Sequence, residues 1–397
     1  MNLCYKYRLY PDENQKKILE KTFKLCCELY NACILQRKLY LARKKRMGKF
    51  DQIRELPSLK KEFPEYNEVY AQVLYDVVFR VKRAFDNFFN AIKINKKLGK
   101  LNGNGEKRRV GFPKYKPLCK YKSITYPQVY KLNLIGTSRY RKIYIPKIGY
   151  VKIKWHRDLP ENARIKFFHV IKHADKYYIL VGFKIDNNIQ PKEINAEKII
   201  GIDVGLEHLA TLSDGTVINF PKYFKAMEWK LKFAQQILSR KKKGTKAYEN
   251  AKIRVERLHE KIFNLRNNYL HQISKQIVDK YDVIVVEDLK IMQMLMKNRH
   301  GLNKEIADAS WKRLLNFIEY KALKNGKRVI KIDPRNTSQI CCNCGNIVKK
   351  ELKQRMHICP YCGIKIHRDL NAAKVLQKLG TSLLFENKSE VQQINAG

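Results

Sequence analysis

The chain has 397 residues, enough for two or three domains, and its 44% hydrophobic content supports packed cores and excludes global disorder. Lys and Arg number 82 against 37 Asp and Glu, a formal charge of +45 that a globular chain sustains only with a polyanionic partner. A thermophile surface would balance Lys with Glu, and no amphipathic anchor for acidic lipid stands out. No run approaches the roughly 18 apolar residues of a membrane span. The N-terminal MNLCYKYRLYPDENQKK lacks the apolar stretch of a signal peptide. The expectation is a cytoplasmic, nucleoid-associated protein that binds nucleic acid and no membrane.

Residues 3–9 alternate, with Leu3, Tyr5, Tyr7 and Leu9 on one face, as in a half-buried strand. Pro11 and Asp12 open a helix. Helical spacing, as in Leu25, Leu29 and Cys33, continues to about residue 96, broken near Gly48 and Pro64. The aromatics of YAQVLYDVVFRVKRAFDNFFNAIKI are expected in a core rather than as base-stacking platforms. Residues 96–123 mix Gly, Asn, Lys and Arg with aromatics. Lys107, Arg108, Arg109, Lys114, Tyr115 and Lys116 are the candidates there for contact with nucleic-acid backbone. Residues 124–186 read as strands. Val151, Ile153 and Trp155 share one face, and Lys152 and Lys154 the other. FFHVIKHADKYYILVGFKI is two strands about a turn at Ala174–Lys176. A small β-barrel with one basic face, joined by the first strand, is the expected outcome.

Residues 187–196 read as a linker. A second domain begins with the strand KIIGIDVG, followed by EHLATLS and TVINF around Asp214-Gly215. A helical hairpin over residues 226–280 bends at RKKKGTK, where Arg240, Lys241, Lys242 and Lys243 are further candidate nucleic-acid contacts. Ile253, Leu258, Ile262, Leu265, Tyr269, Ile273 and Ile277 form its apolar stripe. Then come the buried strand YDVIVVEDL, a helix over 309–325, the strand KRVIKID and a helix over 369–379. This alternation implies a layered α/β domain. The polar tail from residue 383 to 397 is expected to be disordered.

Asp203 stands inside an apolar strand with Gly201 and Gly205 on either side. A buried carboxylate there is costly unless a cation meets it. Glu287 ends the second apolar strand. Asp369 opens a helix whose Ala372, Ala373, Leu376 and Leu379 share its inward face. Three acids on core elements of one domain point to shared divalent cations. Two Mg²⁺ ions, with Asp203 bridging and Glu287 and Asp369 on either side, would suit phosphodiester cleavage.

The ten cysteines include two C-x-x-C pairs, Cys341 with Cys344 and Cys359 with Cys362, separated by the 14 residues 345–358. Two facing thiolate pairs give one tetrahedral Zn²⁺, closed by four ligands and therefore structural. Cys342 falls outside the spacing and is left unliganded. His357 and His367 are nearby substitutes. Cys4, Cys26, Cys27, Cys33 and Cys119 read as buried small hydrophobes.

IGIDVGLEHLATLSDG, the helical LSRKKKGTKAYENAKIRVERLHEKIFNLRNNYLHQIS, YDVIVVEDL, SWKRLLNFIEYKALKNGKRVIKIDPRNTSQICCNCG, CPYCG and RDLNAAKVL together resemble the RuvC and zinc segments of TnpB proteins, carried by bacterial and archaeal insertion sequences. They span most of residues 196–380. YKYRLYPDENQ, GFPKYK and IPKIGYVKIK resemble the family in the N-terminal half.

The resemblance implies a multidomain α+β protein. Its parts would be a wedge β-barrel (1–10 and 111–190), a helical recognition domain (11–110), an RNase H-like RuvC nuclease domain (196–340 and 363–382) and an inserted zinc ribbon (341–362). It implies an RNA-guided DNA endonuclease, related to compact type V CRISPR effectors. The protein would act as a monomer in an RNA–protein complex, with a guide RNA and target double-stranded DNA as partners. In one respect the chain departs from the family: His367-Arg368-Asp369 stands where Asp-Arg-Asp is common. A guided DNA-binding repressor with weak or no cleavage, and a strand-transfer transposase, are the competing readings.

Overall fold

The computed structural model describes residues 2–101, 111–128, 132–185, 195–205, 207–221, 223–289, 310–333, 337–350 and 354–394. The chain divides into two compact units, residues 1–187 and 188–397.

In the first unit, β1 (Asn2–Tyr10) leads into α1 (Glu13–Ala42). The Asp12 carboxylate accepts the Gln15 N–H at 2.8 Å, and the Gln15 side chain accepts the Asp12 N–H at 3.2 Å. This reciprocal cap starts the helix at the expected place. The short α2 (Lys49–Arg54) and α3 (Leu56–Glu62) precede α4 (Ala71–Leu101). Val73, Leu74, Val77, Val78, Val81 and Phe85 of α4 join Leu19, Phe23, Cys26 and Leu29 of α1 in one core. Phe85 meets the expectation of a core aromatic, whereas Tyr75 and Phe89 are 40% and 42% exposed. Arg80 ties α4 to the sheet. Its guanidinium lies 2.7 Å from Asp76 and donates to the Thr125 hydroxyl at 2.7 Å and the Ser123 carbonyl at 2.9 Å.

The sheet adds β2 (Ser123–Tyr126), β3 (Leu134–Ile135), β4 (Tyr140–Ile145), β5 (Gly149–Lys154), β6 (Ala163–His173) and β7 (Lys176–Ile185). All neighbours are antiparallel, in the order β2-β6-β7-β1-β5-β4-β3. The first strand does join this sheet, with Tyr7 opposite Ile179 and Leu9 opposite Ile153. Among the described residues no ladder joins β2 to β3, so the expected barrel is an open sheet with two short edges. Cys26, Cys27 and Cys33 are buried as expected, but Cys4 and Cys119 are exposed.

The second unit holds β8 (Ile199–Asp203), β9 (Ala210–Leu212), β10 (Val217–Ile218), α5 (Tyr223–Ser239), α6 (Lys246–Lys280), β11 (Val283–Glu287), α7 (Trp311–Lys324), β12 (Arg328–Ile332), β13 (Met356–Ile358), β14 (Lys365–His367) and α8 (Arg368–Ile394). Five strands run in the order β10-β9-β8-β11-β12. β8, β11 and β12 are parallel, and β9 is antiparallel to β8. Ile200, Ile202, Ile284 and Val286 pack against Leu270, Ile277 and Val278 of α6 and Trp311, Leu314 and Ile318 of α7. Ile199, Val283 and Val285 pack on the other face against Leu376 and Leu384 of α8. Helices on both faces explain why VIVV, residues 283–286, is continuously apolar rather than alternating.

Gly201 sets how close α8 lies. A Cβ built there would sit 2.0 Å from the Ala373 carbonyl oxygen, so a side chain would force the helix off the strand. Two expectations fail on this helix. Leu379, placed on the packed face by spacing, is 37% exposed, and Leu384 is packed instead. The tail expected to be disordered from residue 383 continues α8 to Ile394. Nothing between Gly380 and Gly397 is Gly or Pro, so the backbone has no breaker there.

Candidate active site

Asp203 and Glu287 are the last residues of β8 and β11. The parallel register pairs Ile202 with Val286, so the two acids leave the sheet side by side at its carboxyl edge. Asp369 is the second residue of α8, is only 7% exposed, and stands near the Gly201 contact at Ala373. Burial pushes the Asp203 carboxyl well above its ordinary range. Repulsion from Glu287 and Asp369 adds to that shift, and Arg368 partly offsets it. Burial raises Glu287 as well, opposed by the Thr337 hydroxyl, which donates to its carboxylate. The Arg368 guanidinium lies 3.4 Å from Asp369 Oδ1. Trp311 donates its indole N–H to the Gly205 carbonyl at 3.0 Å, which anchors the loop leaving Asp203. Three carboxylates gathered in one desolvated corner are costly as bare anions and form an oxygen donor set that divalent cations fit.

The four cysteines also converge. Cys341 and Cys362 Sγ lie 3.7 Å apart, Cys344 and Cys359 Sγ 3.5 Å apart, and all four fall within 4.8 Å of one another. A tetrahedron with Zn–S bonds of about 2.3 Å has edges of about 3.8 Å. The four thiols therefore fit one Zn²⁺ and are too far apart for a disulfide. Both knuckles use the same turn: Gly345 N–H donates to Cys341 O at 3.0 Å, and Gly363 N–H to Cys359 O at 2.9 Å. Backbone and side-chain donors lower the Cys362 thiol to about 6, whereas burial raises Cys359 to about 11. His357, a candidate substitute from sequence, is fully buried and outside this cluster. Cys342 is also outside it, and its N–H donates instead to the Asn371 side chain at 2.9 Å.

The residues match three family models: a probable transposase over 181–298, a Cas12f1-like TNB domain over 311–376 and a helix-turn-helix domain over 1–46. A Streptomyces pristinaespiralis protein provisionally named an RNA-guided DNA endonuclease is 29% identical over 95% of this chain and 89% of its own. A TnpB-like protein of Methanocaldococcus jannaschii is 30% identical over 64% of this chain and 88% of its own. The chain belongs to the TnpB family. A solved Cas12f1–sgRNA–target DNA complex shares the fold at 13% identity, with TM-score 0.56, covering 95% of this chain and 98% of that one. The family model over residues 1–46 carries a helix-turn-helix description, yet in this TnpB-family chain a strand and one 30-residue helix occupy that stretch.

The expected nucleic-acid contacts fare unevenly in the TnpB-family chain. Lys107, Arg108 and Arg109 lie outside the described residues. Lys114 is exposed, and Tyr115 is 45% exposed beneath the Lys38 ammonium, 4.2 Å from its ring centre. Lys116 is drawn inward: its N–H donates to Asn31 Oδ1 at 2.8 Å, its carbonyl accepts from Asn31 at 2.9 Å, and its ammonium sits 4.5 Å from the Tyr30 ring centre. Arg240, Lys241, Lys242 and Lys243 are exposed in the turn between α5 and α6. Sequence reasoning missed Glu207, Thr337, Asn371 and the stacked pair Trp229–Phe233. An Asn followed by two alanines at a helix start is a signal for Asn371; for Thr337 the sequence holds none. Among the described residues no helix is long and apolar enough to cross a membrane.

Proposed function

We propose that this chain is a transposon-encoded, RNA-guided DNA endonuclease that hydrolyses target DNA at one centre made of Asp203, Glu287 and Asp369. The observation that carries this reading is the convergence of those acids, with Asp203 feeling the charge of both others. Asp203 would therefore bridge, and Glu287 and Asp369 would each hold one side. When bound, two Mg²⁺ ions supply charge stabilisation for the attacking and leaving oxygens of the phosphodiester. Thr337 fixes the Glu287 rotamer, Arg368 faces Asp369, and Trp311 holds the loop after Asp203. Each restricts a donor that would otherwise swing. The helices against both sheet faces exclude water from below the carboxylates.

The relatives support the guide and target as partners: one is named for RNA-guided DNA cleavage, and the Cas12f1 structure holds guide RNA and target DNA. A charge of +45 suits a protein that grips an RNA and its heteroduplex through their backbones. We assign the exposed Lys114, Tyr115 and Arg240–Lys243 to that grip. In this reading the strand order β10-β9-β8-β11-β12 is an RNase H-like sheet, the first unit combines the wedge and the helical recognition domain, and the four cysteines hold a structural Zn²⁺. The test is cleavage of target DNA by the full-length protein with its copurified RNA in Mg²⁺. Cutting is expected in the wild type and absent in Asp203→Ala of unchanged zinc content and melting temperature. Undiminished cutting by that variant rejects the centre. Tight guided binding without any cutting by the wild type favours the repressor instead.

A further inference from the structure

His367 stands two residues before Asp369, and the structure gives it a definite place. It ends β14, the strand that pairs with β13 of the ribbon, directly before α8. Its Nδ1 accepts from the Asp369 N–H at 3.4 Å and lies 4.0 Å from Asp369 Oδ2. A ring nitrogen placed to accept an N–H is also placed to offer its lone pair to a metal. The contact is longer than an ordinary N–H bond of about 2.7–3.2 Å, so that lone pair is not saturated.

Glu207 completes a group. Ligand atoms of Glu207, His367 and Asp369 all lie within 4.8 Å of one another. The two oxygens of Asp369 are divided between neighbours. Oδ1 faces Arg368 at 3.4 Å, and Oδ2 faces His367. Gly205 keeps the space beside Oδ2 open: a Cβ there would stand 3.8 Å from Oδ2 and 3.2 Å from the His208 carbonyl. The glycine thus leaves a cradle between an acid, an imidazole and a carbonyl that a side chain would fill.

We propose that His367 and Glu207 join Asp369 as ligands of one of the two catalytic cations, giving this chain a mixed nitrogen and oxygen donor set. The proposal rests on the nuclease reading above and adds the identity of its ligands. An imidazole donor disfavours Mg²⁺, which takes oxygens, and favours Mn²⁺ and later first-row ions. His367 is then a working ligand of that cation.

The test uses full-length, nucleic-acid-free protein titrated with Mn²⁺, read by calorimetry and by pulsed EPR for nitrogen coupled to the bound ion. The wild type is expected to show a directly coupled histidine nitrogen. His367→Ala, at unchanged zinc content and melting temperature, is expected to lose that coupling and bind Mn²⁺ at least roughly tenfold more weakly, since losing even an outer partner of a ligand costs about 10–100-fold. His367→Asp is expected to lose the nitrogen signal and gain Mg²⁺ affinity. A wild type without nitrogen coupling overturns the proposal, as does a coupling that persists in His367→Ala. The two readings fail separately. A missing nitrogen with Asp203-dependent cleavage intact removes only the His367 ligand, whereas cleavage that survives Asp203→Ala removes the nuclease centre.

Discussion

The side-chain oxygen of Asn371 accepts the backbone N–H of Cys342 at 2.9 Å. Its amide donates to the Ile340 carbonyl at 2.7 Å, so one fully buried side chain grips the chain on both sides of Cys341, a member of the four-cysteine cluster. Asn371 is two residues beyond Asp369, so the ribbon and the third acid are fixed to one another. Asn371→Ala leaves two buried backbone groups unpaired, at about 1–3 kcal/mol each. The expected variant keeps its zinc, melts lower and cuts at least tenfold more slowly. Zinc content, thermal melting and cleavage rate measured together check this; full activity in a variant with a lowered melting point removes the coupling.

Cys341 and Cys342 are neighbours with opposite assignments. If the four cysteines hold zinc as proposed, Cys341→Ser deletes one of its ligands and is expected to release zinc and destabilise the second unit. Cys342→Ser leaves all four thiolates and is expected to retain one zinc per chain. Structural zinc contributes about 10–16 kcal/mol in small zinc-bound peptides, so the two variants separate clearly. Metal analysis after dialysis distinguishes them, and zinc loss from Cys342→Ser contradicts the ligand assignment.

The sign of the pH dependence follows from Asp203 and Glu287. Both carboxyls titrate above their ordinary range in the folded chain. The folded state therefore holds protons that the unfolded state has released, and stability falls as pH rises through the raised values. In buffer free of divalent ions, the second unit is expected to melt higher at mildly acid pH than at neutral pH. Asp203→Asn removes the charge and is expected to raise the neutral-pH melting temperature by roughly 2–4 °C, the shift about 1 kcal/mol gives in a domain of this size. If the centre binds Mg²⁺ as proposed, saturating Mg²⁺ is expected to reverse the order. A variant that melts lower than the wild type without divalent ions contradicts the buried-charge account.

Much of this site was legible residue by residue. Asp203 and Glu287 end apolar runs, and the four cysteines carry their own spacing, so local pattern sufficed. Asp369 is buried at the start of its helix, as the helical repeat of Ala372, Ala373 and Leu376 implies. What pattern missed depends on distant partners. Thr337 meets Glu287 from 50 residues away, and Glu207 meets His367 across 160 residues of chain. The barrel was overstated because alternation identifies strands but not whether the last pairs with the first. Composition marks Lys116 as a candidate phosphate contact, and it does not reveal that Asn31 pairs with its backbone.

Gly201 is expected to be intolerant even of alanine. Its Cβ would lie 2.0 Å from the Ala373 carbonyl, and backbone cannot yield as a flexible side chain does. Gly201→Ala should displace α8 from β8, at a cost of about 1–3 kcal/mol, and carry Asp369 away from Asp203. Activity should fall further than stability, because a carboxylate misplaced by about 1 Å can cost about 100-fold in rate. Wild-type cleavage in Gly201→Ala would show that the helix does not set the acid's position.

Trp229 offers a direct reading of nucleic-acid contact. Of the three tryptophans, Trp155 and Trp311 are each 5% exposed, whereas Trp229 is 68% exposed. Its ring stacks on Phe233 at 6.0 Å and 6°, on α5, the helix that ends at the basic turn Arg240–Lys243. Two exposed parallel rings on one helix would suit base stacking, each stacked base contributing about 1–3 kcal/mol. Emission from the full-length protein should therefore be dominated by one solvent-exposed indole, and single-stranded RNA should quench it. Trp229→Ala should abolish the quench and weaken binding about tenfold, the equivalent of about 1.4 kcal/mol and within that range. Neutralising Lys241, Lys242 and Lys243 together should reduce the salt dependence of binding, with a slope change of roughly 0.7 for each single-strand phosphate that these lysines neutralise. Unchanged Trp229 emission at saturating RNA would place the nucleic acid elsewhere and leave the stacked pair as surface without that role.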